Sequence, residues 1–510
     1  MAAVCGVLFL TFLDTTIVSV TLGAVQASLH AGVVSLQWVV NGYALVFAGL
    51  MLAFGTLGDR IGRRKVMVGG VAVFCAGSVL SALAPSTSVL IAGRAVMGLG
   101  AAASEPGTLS VIRHLYPEAR ARARAIGVWS AVCGVALACG PVAGGVLVAA
   151  SGWRSIFWFN VVLGVVLLAA VVLVVPESAD PVPGRPDWAG FVLGTAALVA
   201  LTVAVTGGES AGYATSWTVG LFVLGVAAGV GFVVVERRAP SPMLDLRMVG
   251  QPAVAGPLFG AFAVYFGVFS IFFFTALYLE EVVGDSGYRI AAQFATMSAA
   301  MVVGSLAAGR WVARAGPRDV LATGCLAAAA GLVATEHVVT TTAAFLPMAA
   351  SLALAGLGFG LAVVPVTAAV VGTVPAARSG MAASATNTAR ELGAVFGTAV
   401  LGALVNAHLT AGLAARLRVL GIPANFQAIV ISAVETGSVP SGGSGSAAQQ
   451  AAYGPIVEHV VQAAYGAFRD GLRVALLGSA ALVLLAGAVT VATVHGRSGE
   501  LAAEAAERTP

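Results

Sequence analysis

The sequence predicts an all-α integral membrane protein with 14 transmembrane helices, and three observations carry that reading. The 510 residues are 59% hydrophobic and only 9% charged, against about 25% charged in a soluble globular chain. Fourteen apolar runs are close to, or longer than, the roughly 20 residues that cross a hydrocarbon layer. The basic residues between those runs collect on alternate connections, as expected of a polytopic membrane chain.

The runs follow in order. Helix 1 is expected near 3–24; it has no basic leader segment and carries Asp14 mid-run, so it reads as a retained span and not a cleaved signal. Helices 2 to 6 are expected near 35–57, 66–84, 89–112, 125–149 and 155–175, closing a first unit over 1–175. Helices 7 and 8, near 188–207 and 217–235, make a pair over 188–235. Helices 9 to 14 are expected near 252–279, 290–312, 320–339, 343–372, 380–405 and 471–494, in a unit over 252–494. Between the last two lies a long connection, 406–470, whose SVPSGGSGSAAQQ stretch has linker composition; short surface helices such as AHLTAGLAARLRVL would fit there. Residues 495–510 form a tail.

Orientation follows from charge. With the N-terminus inside, 18 of the 26 Lys and Arg residues fall on the cytoplasmic side and six outside, while Arg94 and Arg390 sit within spans. That bias predicts a multi-pass protein of the plasma (inner) membrane with both termini cytoplasmic.

Composition also excludes functions. All five cysteines fall in apolar runs with no CxxC or Cys/His cluster, so neither a disulfide framework nor a metal site is expected. An ATP-driven pump needs a GxxxxGK[ST] phosphate loop, and the single lysine, Lys65, lies in RRKV. The six histidines show no HExxH spacing, which argues against an intramembrane metalloenzyme. A secondary transporter remains, needing no cofactor beyond an ion gradient; uptake symport and a polytopic membrane sensor are the alternatives. Its expected partners are a small-molecule substrate, protons and the lipid bilayer, with no nucleic acid, and a monomer is expected.

Four sequence blocks stand out. The first is GTLGDRIGRRKV, Gly55 to Val66, a basic turn between two spans that contains Gly58, Asp59, Arg60, Gly62, Arg63 and Arg64. Gly55, Arg60, Gly62, Arg64 and Val66 recur 254 positions on as Gly309, Arg314, Gly316, Arg318 and Val320, which supports two related halves. Ala313 replaces Asp59 in the second copy. The others are LDTTIVSVTL in helix 1, GRAVMGLGAA with Arg94 in helix 4, and ALACGPVAGG with Gly140, Pro141, Gly144 and Gly145 in helix 5. GWRSIFWFN and RSGMAASATNTARELGAVFG add to the set.

Together these blocks resemble the major facilitator superfamily, in particular its fourteen-helix drug:proton antiporter family, over nearly the whole chain. The first block is similar to the family's motif A, the cytoplasmic latch; the helix 5 block resembles motif C, the antiporter signature, with Ala136 where Gly is usual. The resemblance implies two six-helix bundles plus two inserted helices. It also implies proton-coupled export of amphipathic or cationic drugs, antibiotics or metabolites by alternating access.

Physical reading of the same residues runs alongside. Asp59 suits a helix N-terminus or neighbouring arginines, and Gly58 and Gly62 suit a tight turn. The motif C glycines clear a helix face for close approach, and Pro141 interrupts the backbone ladder. A charge at a helix centre costs about 2.5–3.5 kcal/mol on insertion scales, so it needs a partner, water or a purpose. Asp14 is therefore the first candidate proton carrier: burial disfavours its charged form and a nearby arginine favours it. Arg94 is its expected basic counterpart, for Asp14 or for Glu105. Glu105, in ASEPGT, departs from the family's apolar preference; it suits a second proton site, a contact for a cationic substrate, or a wetted vestibule. Arg390 and Glu391, adjacent on helix 13 and so pointing about 100° apart, are cavity candidates with Gln37 and Asn41 of helix 2.

Overall fold

A computed structural model of the protein describes residues 1–116, 118–178, 187–239, 242, 244, 246–340, 343–373, 379–422, 427, 430 and 447–494. Fourteen helices among them are long and apolar enough to cross a bilayer, and no strand occurs among the described residues. The first four are α1 (Ala2–Leu29), α2 (Val33–Ile61), α3 (Arg63–Ala82) and α4, which is two pieces, Thr87–Ser104 and Pro106–Leu115. Next come α5 (Ala119–Ser151), α6 (Arg154–Val174), α7 (Trp188–Ala211) and α8 (Ser216–Arg238). The remainder are α9 (Pro252–Glu281), α10 (Gly287–Ala315), α11 (Pro317–Val338), α12 (Phe345–Thr373), α13 (Ser379–Val419) and α14 (Ala447–Thr493).

In a bilayer the backbone must satisfy itself, so helices are the available solution, and where they approach closely the sequence supplies glycine. A Cβ on Gly77 would lie 2.6 Å from the Met97 nitrogen, and one on Gly324 2.7 Å from that of Ala362. These two contacts, α3 on α4 and α11 on α12, occupy equivalent places in the two bundles α1–α6 and α9–α14.

The bundles meet along two seams, α2 against α13 and α5 against α10. The two seams are counterparts of each other, since the repeat that carries Gly55 of α2 onto Gly309 of α10 makes α13 the counterpart of α5. The inserted pair is lopsided. Helix α7 packs on both α2 and α13, with Thr195 donating to the Gly49 carbonyl at 2.9 Å, while α8 rests mainly on α7.

Two boundaries differ from expectation. The basic turn is shorter than the sequence suggests: α2 runs through Gly55–Ile61, and Gly62 alone, at φ 115°, breaks it from α3. Nor do 406–419 and 447–470 stand apart from the spans as a connection. Helix α13 continues to Val419 and α14 begins at Ala447, giving lengths of about 60 and 70 Å at 1.5 Å per residue, twice a hydrocarbon core of about 30 Å. The overhang is a hairpin in which Leu409, Leu413 and Leu417 pack on Ala463, Ala464 and Ala467. Arg416 ties it by an ion pair to Asp470 at 2.8 Å and a bond to the Ala463 carbonyl. Residues 431–446 and 495–510, the Gly/Ser-rich centre and the tail, lie outside the described set.

Leu413 has no exposed surface, so Leu413→Ala should destabilise the hairpin by about 2–5 kcal/mol. Amide hydrogen exchange over 406–419 should accelerate while the bundle helices keep their protection.

Candidate functional site

The first polar centre lies inside the first bundle. Asp14 of α1 is 0% exposed and Arg94 of α4 is 1% exposed. Arg94 Nη1 donates to Asp14 Oδ2 at 2.5 Å, and Asn160 of α6 donates to Oδ1 at 2.6 Å, so each carboxylate oxygen has a donor. Arg94 Nε donates to the Val39 carbonyl at 3.0 Å, and the guanidinium lies 4.5 Å from the centre of the Tyr43 ring. Tyr43 in turn donates to the Thr11 carbonyl, closing a loop from α2 back to α1. Four helices thus supply one buried ion pair with its hydrogen bonds made. Removing one partner of such a pair costs about 3–5 kcal/mol.

The second centre joins the bundles. Helix α4 breaks at Glu105, where Pro106 starts a new helix and lacks the N–H that would continue the old one. The Glu105 side chain, 1% exposed, accepts from Asn387 of α13 at 3.0 Å through Oε1. Arg390, one turn on, donates to Asn387, to Thr367 at 2.6 Å and to the Val363 carbonyl. It lies 5.5 Å from the Tyr265 ring centre and forms no ion pair with Glu391 among the described residues. Glu391 is as buried as Glu105. Glu105 Oε2, Glu391 Oε2 and the Tyr265 hydroxyl have no hydrogen-bond partner.

Gln37 and Asn41 close a seam instead of lining an open space. Asn41 Oδ1 accepts from Thr398 of α13 at 2.5 Å, and the Gln37 amide lies where a Cβ on Gly402 would fall. Gly145 packs on Ala291 of α10, and the Glu280 carboxylate covers Gly23. All these contacts lie toward the end opposite the Gly62 turn.

At the Gly62 turn itself the partner is α6. Glu177 Oε1 accepts from the Arg64 N–H at 3.1 Å and would stand 2.6 Å from a Cβ on Gly62. Arg63 N–H donates to the Ser178 carbonyl at 2.9 Å, and Arg64 Nη2 donates to the Val172 carbonyl at 2.6 Å. A carboxylate therefore sits at the start of α3 and a guanidinium at the end of α6, each complementing a helix dipole. Gly55 faces Pro106 and Gly58 faces Arg63; the side chains of Asp59 and Arg60 lie outside the described set.

The glycine block of α5 serves two neighbours. Gly140 and Gly144 face α1, where a Cβ on Gly144 would lie 2.7 Å from the Ile17 carbonyl, while Gly145 faces α10. Pro141 is buried within the helix. Asn160, Asn387, Tyr265 and Glu177 were not singled out from sequence. Only the polar asparagine within FWFNVV and the acid directly after the helix 6 run mark two of them.

Comparison with known proteins places this architecture. The family model of the Major Facilitator Superfamily matches residues 4–398. The multidrug resistance protein Stp of Mycobacterium tuberculosis is 34% identical over 94% of this chain and 89% of its own length. The tetracenomycin C resistance and export protein of Streptomyces glaucescens is 30% identical over 99% and 93%. The multidrug efflux pump LfrA of Mycolicibacterium smegmatis is 31% identical over 94% and 92%. Among solved structures, a bacterial homologue of the human lysosomal transporter Spinster aligns over 97% of both chains with a TM-score of 0.63 at 18% identity, a likeness of fold. The chain belongs to the major facilitator superfamily. It is a multi-pass membrane transporter, not an enzyme.

Asn160→Ala removes one of two donors to a buried carboxylate, a charge-assisted bond worth about 1.5–3 kcal/mol. Transport in vesicles should fall roughly tenfold or more, with expression and membrane insertion unchanged on immunoblots.

Proposed function

We propose that this protein exports amphipathic or cationic small molecules across the plasma membrane in exchange for protons, as a monomer with both termini in the cytoplasm. The observation that carries the reading is the buried Asp14–Arg94–Asn160 centre in a chain whose relatives are named for drug efflux and antibiotic export. Protonation of Asp14 would discharge the ion pair and release the Arg94 guanidinium, which is held on both sides by α1 and α2. Two arrangements of one buried pair are what coupling to a proton requires, because a gradient acts only where the states differ in proton affinity.

Export would proceed by rocking of the two bundles about their seams, with substrate held between them. The gradient supplies about 2.3 kcal/mol per charge per 100 mV and about 1.4 kcal/mol per pH unit; no cofactor takes part. The clasp of Glu177 and Ser178 on the Gly62 turn would keep α3 and α6 moving as one body. The glycine block of α5, touching both α1 and α10, would be the surface on which the bundles turn.

Everted vesicles should accumulate substrate when their lumen is acidified, and a protonophore should abolish it. Accumulation driven inward in right-side-out cells would overturn the export direction. Asp14→Asn should lose uphill transport at least tenfold in proteoliposomes while keeping exchange down a substrate gradient. Full uphill transport by that variant would remove Asp14 from the coupling step.

A further inference from the structure

The end of the second bundle opposite the Gly62 turn carries a group of charges that the exchange described above does not use. At 1.5 Å per residue, Glu336 stands about 28 Å from the start of α11 at Pro317, and Arg473 about 30 Å from the end of α14 at Thr493. Both distances match a hydrocarbon core of about 30 Å, so the two residues meet at one boundary of the bilayer. There a cavity of about 140 Å³ is lined by Glu336 of α11 and by Arg469, Asp470, Leu472, Arg473 and Leu476 of α14.

The charges there do not cancel. Arg473 Nε pairs with Glu336 Oε1 at 2.8 Å, and Asp470 is taken by Arg416 of α13 at 2.8 Å. Arg469 is exposed and has no ion pair or hydrogen bond among the described residues, and the terminal NH2 groups of Arg473 have none either. Three arginines thus stand against two acids, and the free guanidinium donors suit a phosphate. One acceptor is open as well. Glu336 is 9% exposed and its Oε2 makes no hydrogen bond; His337 Nδ1, 2.7 Å away, bonds the Val333 carbonyl instead. A buried acceptor left open favours a ligand that brings a donor. Beyond Arg473, the same face of α14 is apolar and exposed at Leu477, Leu484 and Leu485, the helical spacing of a stripe turned toward acyl chains.

We propose that this cavity binds the headgroup of an anionic phospholipid, with its phosphate on Arg469 and Arg473, a headgroup hydroxyl on Glu336 and its acyl chains along α14. Phosphatidylglycerol has that chemistry, a singly charged phosphodiester carrying hydroxyl groups. In the orientation proposed above, the lipid belongs to the outer leaflet. The site lies at the foot of the α13–α14 overhang, because Asp470, beside Arg469, is the residue that Arg416 ties. A bound lipid joins α11 to α14 and holds the base of the hairpin at the membrane surface.

The test is lipid binding to the purified full-length transporter, read by native mass spectrometry during titration with phosphatidylglycerol, phosphatidylcholine, phosphatidylmethanol or inorganic phosphate. The parent protein should hold phosphatidylglycerol about tenfold more tightly than phosphatidylcholine, as expected of charge-assisted bonds. Phosphatidylmethanol, which keeps the charge and lacks the hydroxyls, should bind between the two. Inorganic phosphate at the same concentration should not displace the lipid. Arg469→Gln and Arg473→Gln should each weaken phosphatidylglycerol several-fold, and together they should abolish its preference over phosphatidylcholine. Arg289→Gln, at the same end of the bundle but outside the cavity, should bind as the parent does. Unchanged binding of phosphatidylglycerol by the double variant would overturn the site. Equal affinity of the parent for phosphatidylcholine would overturn the anionic class, and equal affinity for phosphatidylmethanol would overturn the Glu336 contact. Displacement by inorganic phosphate would make this a site for free anions and overturn the lipid.

Discussion

The Asp14–Arg94 ion pair is the interaction on which the first bundle is arranged. A carboxylate and a guanidinium with no exposed surface persist in an apolar setting only when every remaining donor and acceptor is met. The chain meets most of that demand by bringing Asn160 from α6, the Val39 carbonyl from α2 and the Tyr43 ring to the same point, leaving the Asn160 Oδ1 itself without a partner. Four helices are thereby fixed in rotation about their own axes, since turning any of them would strand a buried polar atom. The small-residue packing of α3 on α4 fixes how near the helices come, and the ion pair fixes which faces they show.

The second bundle solves the same problem less completely. Arg390 has partners on α12 and α13, yet Glu391 and Tyr265 retain unpartnered atoms beside it, as does Glu105 opposite. A membrane interior tolerates such atoms poorly.

The spans were legible in the sequence because the bilayer enforces a simple rule, a long apolar stretch with few charges, and because basic connections alternate. Asp14 and Arg94 were legible for the same reason, a charge standing where charge is costly. Their amide partners were not. Asparagine is unremarkable in composition, and Asn160 lies 146 residues from Asp14, Asn387 282 residues from Glu105. Nothing local specifies those contacts. A helix over AHLTAGLAARLRVL was legible in the α13–α14 overhang, but not its continuity with the span: its leucines come every fourth residue, among alanine, glycine and arginine. That period marks a helix, but its average hydropathy falls below that of a span. The turn at Gly62 was read too long because glycine and arginine suggest a loop, whereas α2 tolerates Gly55 and Gly58 where Pro106 and Arg63 pack against them.

The inserted pair has a consequence for how the molecule meets its surroundings. Without it the two seams would be equivalent, one on each flank. Helix α7 lies over the α2–α13 seam and is bonded to α2 through Thr195. Acyl chains can reach the α5–α10 seam directly and the other only around α7. A two-fold machine has been given a sheltered flank and an open one, and solutes already dissolved in the leaflet meet the transporter as a body with a front and a back.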